Sequence, residues 1–138
     1  MSMTEEEKDI VVEYRLKRAG ETWVEAKELA RLNLWHGAAN RLYYACFYAA
    51  TALLAKHGHV AHTHGGVFGL LGKYFVATGI IGKEQNKLYQ KLFDLRGDGD
   101  YGDCVDIDED DVKPLLDPAE KFIAEVEKLT RPPKHNHN

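Results

Sequence analysis

A chain of 138 residues, 44% hydrophobic and 29% charged, has the size and composition of one globular domain that buries roughly two-thirds of its surface. A net charge of −4, with seven histidines counted as neutral, argues against a general polyanion binder but leaves room for a local basic site. Cys46 and Cys104 form no CxxC pair, and the N-terminus is acidic where a signal peptide would be basic then apolar, so the expectation is a reduced, cytoplasmic protein.

Thr4-Glu5-Glu6-Glu7 has capping-box spacing and starts a first helix that runs to about Leu32. Within it Ile10, Tyr14, Trp23, Ala26 and Ala30 recur at mostly helical intervals, with Gly20 as a weak point. Asn33 to Gly37 make a short turn into a second helix, Gly37 to Lys56. This helix is apolar on nearly every side, as befits the middle of a core, yet it carries Arg41 near its start. A guanidinium in such a place is costly unless it is paired and hydrogen-bonded, so Arg41 requires an acidic partner or a ligand. The apolar run from Leu42 to Ala55 is shorter than the roughly 20 residues of a membrane span and holds three tyrosines, so no membrane association is expected.

Gly58 to His62 read as a loop, Thr63 caps a third helix to about Ala77, and Thr78-Gly79 stops it. A fourth helix, Lys83 to about Gly97, presents Leu88, Leu92 and Leu95 on one face. A glycine-rich acidic segment follows. The last helix repeats Val112, Leu115, Ala119, Phe122, Val126 and Leu129, and it begins either at Asp108 with a kink or at Pro118 after a short turn. With no strand pattern, no repeat and no linker, the expected architecture is an all-α antiparallel bundle of about five helices. Residues 1–131 form the domain and 132–138 a disordered tail.

Four histidines, His57, His59, His62 and His64, crowd one connection, and imidazole is a common metal ligand. No cysteine or HExxH motif accompanies them and a loop does not preorganise ligands, so adventitious rather than built metal binding is expected. His64 stands apart because it opens a helix with Gly65-Gly66 behind it, where backbone can approach a ligand. An EF-hand reading from Asp94 fails, since Arg96 and Val105 fall where carboxylates are needed. Ser2 is the sole serine, which excludes a serine hydrolase, and no phosphate loop, metal site or cofactor motif is evident.

Arg96 closes the fourth helix at the edge of its apolar face, with Asp100 and Tyr101 just beyond. Together with Arg41, Tyr44 and His64 they would make a polar cleft suited to phosphate or a base. Asp100 is the expected partner of Arg41. The rival reading makes the arginines internal salt bridges that fix the bundle's register in a structural dimeric module.

Taken in order, Asn40 to Ala50, Thr63-His64, Phe68 to Gly79, and Leu95-Arg96 to Asp100-Tyr101 closely resemble the HEPN domain family, over about residues 5 to 130. The resemblance implies a helical bundle that is usually a homodimer. It also implies pairing with a minimal nucleotidyltransferase in a two-component, toxin–antitoxin-like system. Many HEPN proteins are metal-independent ribonucleases whose motif is an arginine followed, after a short gap, by a histidine. Arg96 matches that arginine, but the fifth residue after it is Tyr101, a poor general base at neutral pH, and the next histidine is His135. The expectation is therefore a nucleotide-binding or partner-binding subunit without cofactor, with Arg96 the catalytic arginine if RNA is cut at all.

Overall fold

The computed structural model describes residues 3–96 and 106–131, and the described residues form helices and their connections without a strand. Thr4 closes a capping box, its hydroxyl accepting from the Glu7 amide at 3.1 Å while Glu7 accepts from the Thr4 amide at 2.8 Å. From that cap α1 runs Glu5–Arg31 without interruption. Gly20 sits on its exposed side and costs helix propensity rather than packing, so it does not break the helix. The inward face is Val12, Leu16, Ala19, Thr22, Ala26 and Ala30. Ile10 and Tyr14, expected on that face, point outward at 64% and 63% exposure. The helical interval was right but its phase at the N-terminal end was not.

Asn33, in the left-handed region at φ 62°, turns the chain into α2, Trp35–Lys56. The two helices run antiparallel: Arg15 donates to the Thr51 carbonyl at 3.3 Å, Arg18 covers the Tyr48 ring, and Glu25 lies 3.9 Å from Arg41. Small residues, among them Ala19 and Ala26 on α1 and Ala45, Ala49 and Ala52 on α2, let the backbones approach closely. α2 then packs against every other long helix of the bundle, which accounts for its apolar circumference.

α3, His64–Leu71, is capped by Thr63, whose hydroxyl accepts from the Gly66 amide at 2.8 Å. It continues into a π-helical turn, Gly72–Val76, closed by the Ala77 amide on the Gly72 carbonyl at 2.8 Å. Gly79, at φ 80°, ends it. α4 spans Lys83–Arg96 and buries Leu88, Tyr89 and Leu92. Of the two beginnings open to the final helix, the chain takes the earlier. Asp108 caps α5, Glu109–Val112, a 3-10 turn at Lys113–Leu115 accommodates Pro114, and α6 follows over Leu116–Thr130. Trp23 ties this last helix to α1 by donating to the Leu116 carbonyl at 2.9 Å.

Candidate functional site

Tyr43, wholly buried on α2, is the hub of the polar cluster. Its hydroxyl lies 2.7 Å from Nδ1 of His64, the first residue of α3. The guanidinium of Arg96, from the last turn of α4, sits 5.1 Å over the same tyrosine ring and 5.3 Å over Phe93. Tyr43 thus stands between a cation and an imidazole supplied by two other helices. Its hydrogen bond fixes the His64 ring and leaves Nε2 as the nitrogen not engaged by it.

The ring of His64 packs against Phe47 at 4.6 Å and Tyr44 at 5.7 Å. Burial first, and the positive charge of Arg96 second, lower its pKa below the ordinary histidine value, which favours the neutral imidazole. Burial raises the Tyr43 and Tyr89 hydroxyls in turn, and the Tyr89 hydroxyl forms no hydrogen bond of good geometry among the described residues. Both tyrosines are therefore neutral and not bases; Tyr43 packs and hydrogen-bonds, and Tyr89 packs. The Arg96 Nε is also buried without a hydrogen-bond partner among the described residues. An unpaired guanidinium N–H in a low-dielectric setting is a strong site for an anionic oxygen.

Arg41 differs from its expected setting. Its side chain is 30% exposed, not sealed in the core. Asn40 Oδ1 accepts from its Nε at 3.1 Å and Nη2 at 2.8 Å, and Glu25 lies 3.9 Å from Nη1. Glu25 also faces Arg18 at 3.7 Å. α2 is thus buried along most of its length but leaves its N-terminal edge open toward α1, and Arg41 uses that edge. Its cation rests 5.1 Å over Tyr44, which meets Tyr43 edge-on at 5.2 Å. The contacts run Arg41, Tyr44, His64, Tyr43, Arg96, and so join four of the sequence-derived candidates. Asp100 and Tyr101, the other two, lie outside the described residues, so the expected Arg41–Asp100 pair is not among the contacts seen.

Nothing in the sequence distinguishes Tyr43 from its aromatic neighbours, since it is one ring in a uniformly apolar run. Phe93 carried a usable signal: it precedes Arg96 by three residues, and so lies beneath it on α4. Among the described residues no three His, Cys, Asp or Glu side chains gather as metal ligands. His57 packs on Phe75 at 5.2 Å and His59 stacks on Tyr74 at 4.1 Å. Cys46 is fully buried beside the Ala119 carbonyl, and burial pushes its thiol pKa far up, which removes it as a nucleophile. No helix of the described residues is long and apolar enough to cross a membrane.

Comparison with known proteins agrees with this fold. The sequence model of the HEPN domain matches residues 12–129. A UPF0332 protein of Thermotoga maritima is 41% identical over 123 residues, covering 89% of this chain and 93% of that protein. A Methanocaldococcus jannaschii protein named "Putative toxin MJ0605" is 32% identical over 106 residues, covering 77% and 78%. The crystal structure of TT1696 from Thermus thermophilus has the same fold, with a TM-score of 0.71 at 19% identity over 86% of this chain and 97% of that one.

Proposed function

The chain belongs to the HEPN domain family, and on that premise we propose that it is the HEPN subunit of a two-component, toxin–antitoxin-like system. It works in the cytoplasm as a homodimer with a minimal nucleotidyltransferase. Its cluster binds a nucleotide or the partner's nucleotide-bearing surface. Arg41 and Arg96 hold phosphate, His64 contributes a neutral imidazole, and Tyr44 packs on a base. The names of the toxin-like relatives support the system. The observation that carries the site is the Arg96 guanidinium, held over Tyr43 with its buried Nε unpaired among the described residues. Titration calorimetry of the purified chain with ATP, and with a minimal nucleotidyltransferase from the same genome, tests the reading. Binding that Arg96→Ala weakens at least ten-fold is expected, and no heat with either titrant overturns it.

A second reading has its own support. His64 and Arg96 meet the same Tyr43, at 2.7 Å from its hydroxyl and 5.1 Å over its ring, and the pair supports a reading in which His64 takes the role of the missing motif histidine. A neutral imidazole beside a guanidinium suits general-base activation of an RNA 2′-hydroxyl with charge stabilisation of the phosphate. RNA cleavage in EDTA, abolished by His64→Ala and by Arg96→Ala alike, would establish the ribonuclease. Intact RNA at high protein concentration would leave binding as the function.

A further inference from the structure

From Leu29 to Lys83 the chain contains no aspartate or glutamate, although it carries 22 in all. The same stretch holds five lysines or arginines and five of the seven histidines. A net charge of −4 conceals this segregation. Part of the acid-free stretch comes together where α2 ends, the connection to α3 begins and the π-helical turn lies alongside.

Lys56 is exposed at the end of α2, and His57 follows against Phe75. His59 stacks on Tyr74 with ring planes 18° apart and centroids 4.1 Å apart. Lys73 sits 5.1 Å from the Tyr74 ring, and Tyr74 remains 38% exposed. Burial and then the neighbouring charges of Lys56 and of Lys8 on α1 disfavour the protonated form of His57. Lys8 is already paired with Glu5 at 3.1 Å, so among the described residues of this surface Lys56 and Lys73 are the cations in no ion pair. The π-helical turn sets Lys73 and Tyr74 side by side on the surface while Phe75 enters the core.

We propose that this surface docks single-stranded RNA on its way to the Arg96–His64 cluster, with phosphates on Lys56 and Lys73 and a base continuing the His59–Tyr74 stack. Exposed lysines beside a stacked aromatic pair are what a sequence-tolerant single-strand site requires. An acidic peptide would use the lysines but has no use for the rings. The residues from His59 to His64 span at most about 17 Å, a distance that a few nucleotides cover. The proposal rests on the functional reading above only in taking the strand onward to Arg96.

Fluorescence anisotropy with a labelled twelve-nucleotide oligouridylate at low salt tests it. Tyr74→Ala should weaken binding about ten-fold and Tyr74→Phe should restore it. Lys73→Gln should lower the slope of log affinity against log salt by about 0.7. Melting curves followed by circular dichroism establish that each variant is folded. Wild-type affinity in Tyr74→Ala and Lys73→Gln, with binding lost in Arg96→Ala, overturns the docking surface and leaves the cluster reading intact. The converse pattern supports the surface and removes the cluster. Polyglutamate competing as well as RNA overturns the proposal in favour of an acidic protein partner, and no RNA binding at low salt overturns it outright.

Discussion

His64 shows how a single side chain acquires its chemistry from placement. An exposed imidazole would be partly charged near neutral pH. Here burial and the Arg96 cation favour the neutral ring, and the same preference is a statement about stability. The folded state binds fewer protons at His64 than the unfolded chain does, and His57 is shifted in the same direction by burial and the nearby cations. Both groups therefore contribute stability that is fully present above the unfolded value of about 6.5 and is lost as pH falls through the lower folded values. The melting temperature should drop between pH 7.5 and pH 5, and the His57→Gln/His64→Gln double variant should drop less steeply. Parallel curves for the two proteins would refute this. Tyr43→Phe probes the other side of the same contact. It leaves Nδ1 of His64 without its 2.7 Å partner and should cost about 1 kcal/mol in urea denaturation.

At the level of elements, the site depends on where α3 begins. Thr63 accepts from the Gly66 amide, and a Cβ added at Gly66 would come within 2.9 Å of the same Thr63 hydroxyl. Thr63→Ala removes the cap and should cost about 1 kcal/mol. Gly66→Ala displaces the hydroxyl and should cost a similar amount, and the double variant should cost little more than either single one because both remove one interaction. Additive losses by thermal denaturation would mean that Gly66 matters for another reason. This cap was legible in the sequence, as was the Thr4 capping box, because each is a local hydrogen-bonding pattern, whereas the last helix had two acceptable starts and only the structure selects Asp108. The π-helical turn was not, because Gly72 to Val76 reads like ordinary helix and carries no local signal for the wider turn. The site was legible to the same degree. Arg41, Tyr44, His64 and Arg96 stand out as candidates by residue type, whereas the hub position of Tyr43 and the partly exposed setting of Arg41 depend on which side of α2 each neighbour covers.

For the whole molecule, α2 is both the centre of the core and the source of Tyr43, so fold and site share one element. Leu42, Leu53 and Cys46 on it are fully buried, and the Cys46 thiol meets the Ala119 carbonyl of α6. Trp23 independently joins α1 to the start of α6. With helices tied to a common centre and to each other, the bundle should unfold as one unit. Leu53→Ala deletes a fully buried side chain and should cost about 2–5 kcal/mol, a large share of the roughly 5–15 kcal/mol that stabilises a typical domain. The loss should appear at one denaturant midpoint in both tryptophan fluorescence on a Trp35→Phe background, where Trp23 alone reports the α1–α6 junction, and far-ultraviolet circular dichroism, which reports all helices. If fluorescence fell first, α1 would be separable from the centre, and Arg41, whose carboxylate neighbour Glu25 is on α1, would be free to move independently of His64 and Arg96. A single midpoint instead means that Arg41, His64 and Arg96 are held in one rigid frame whose stability is set by α2.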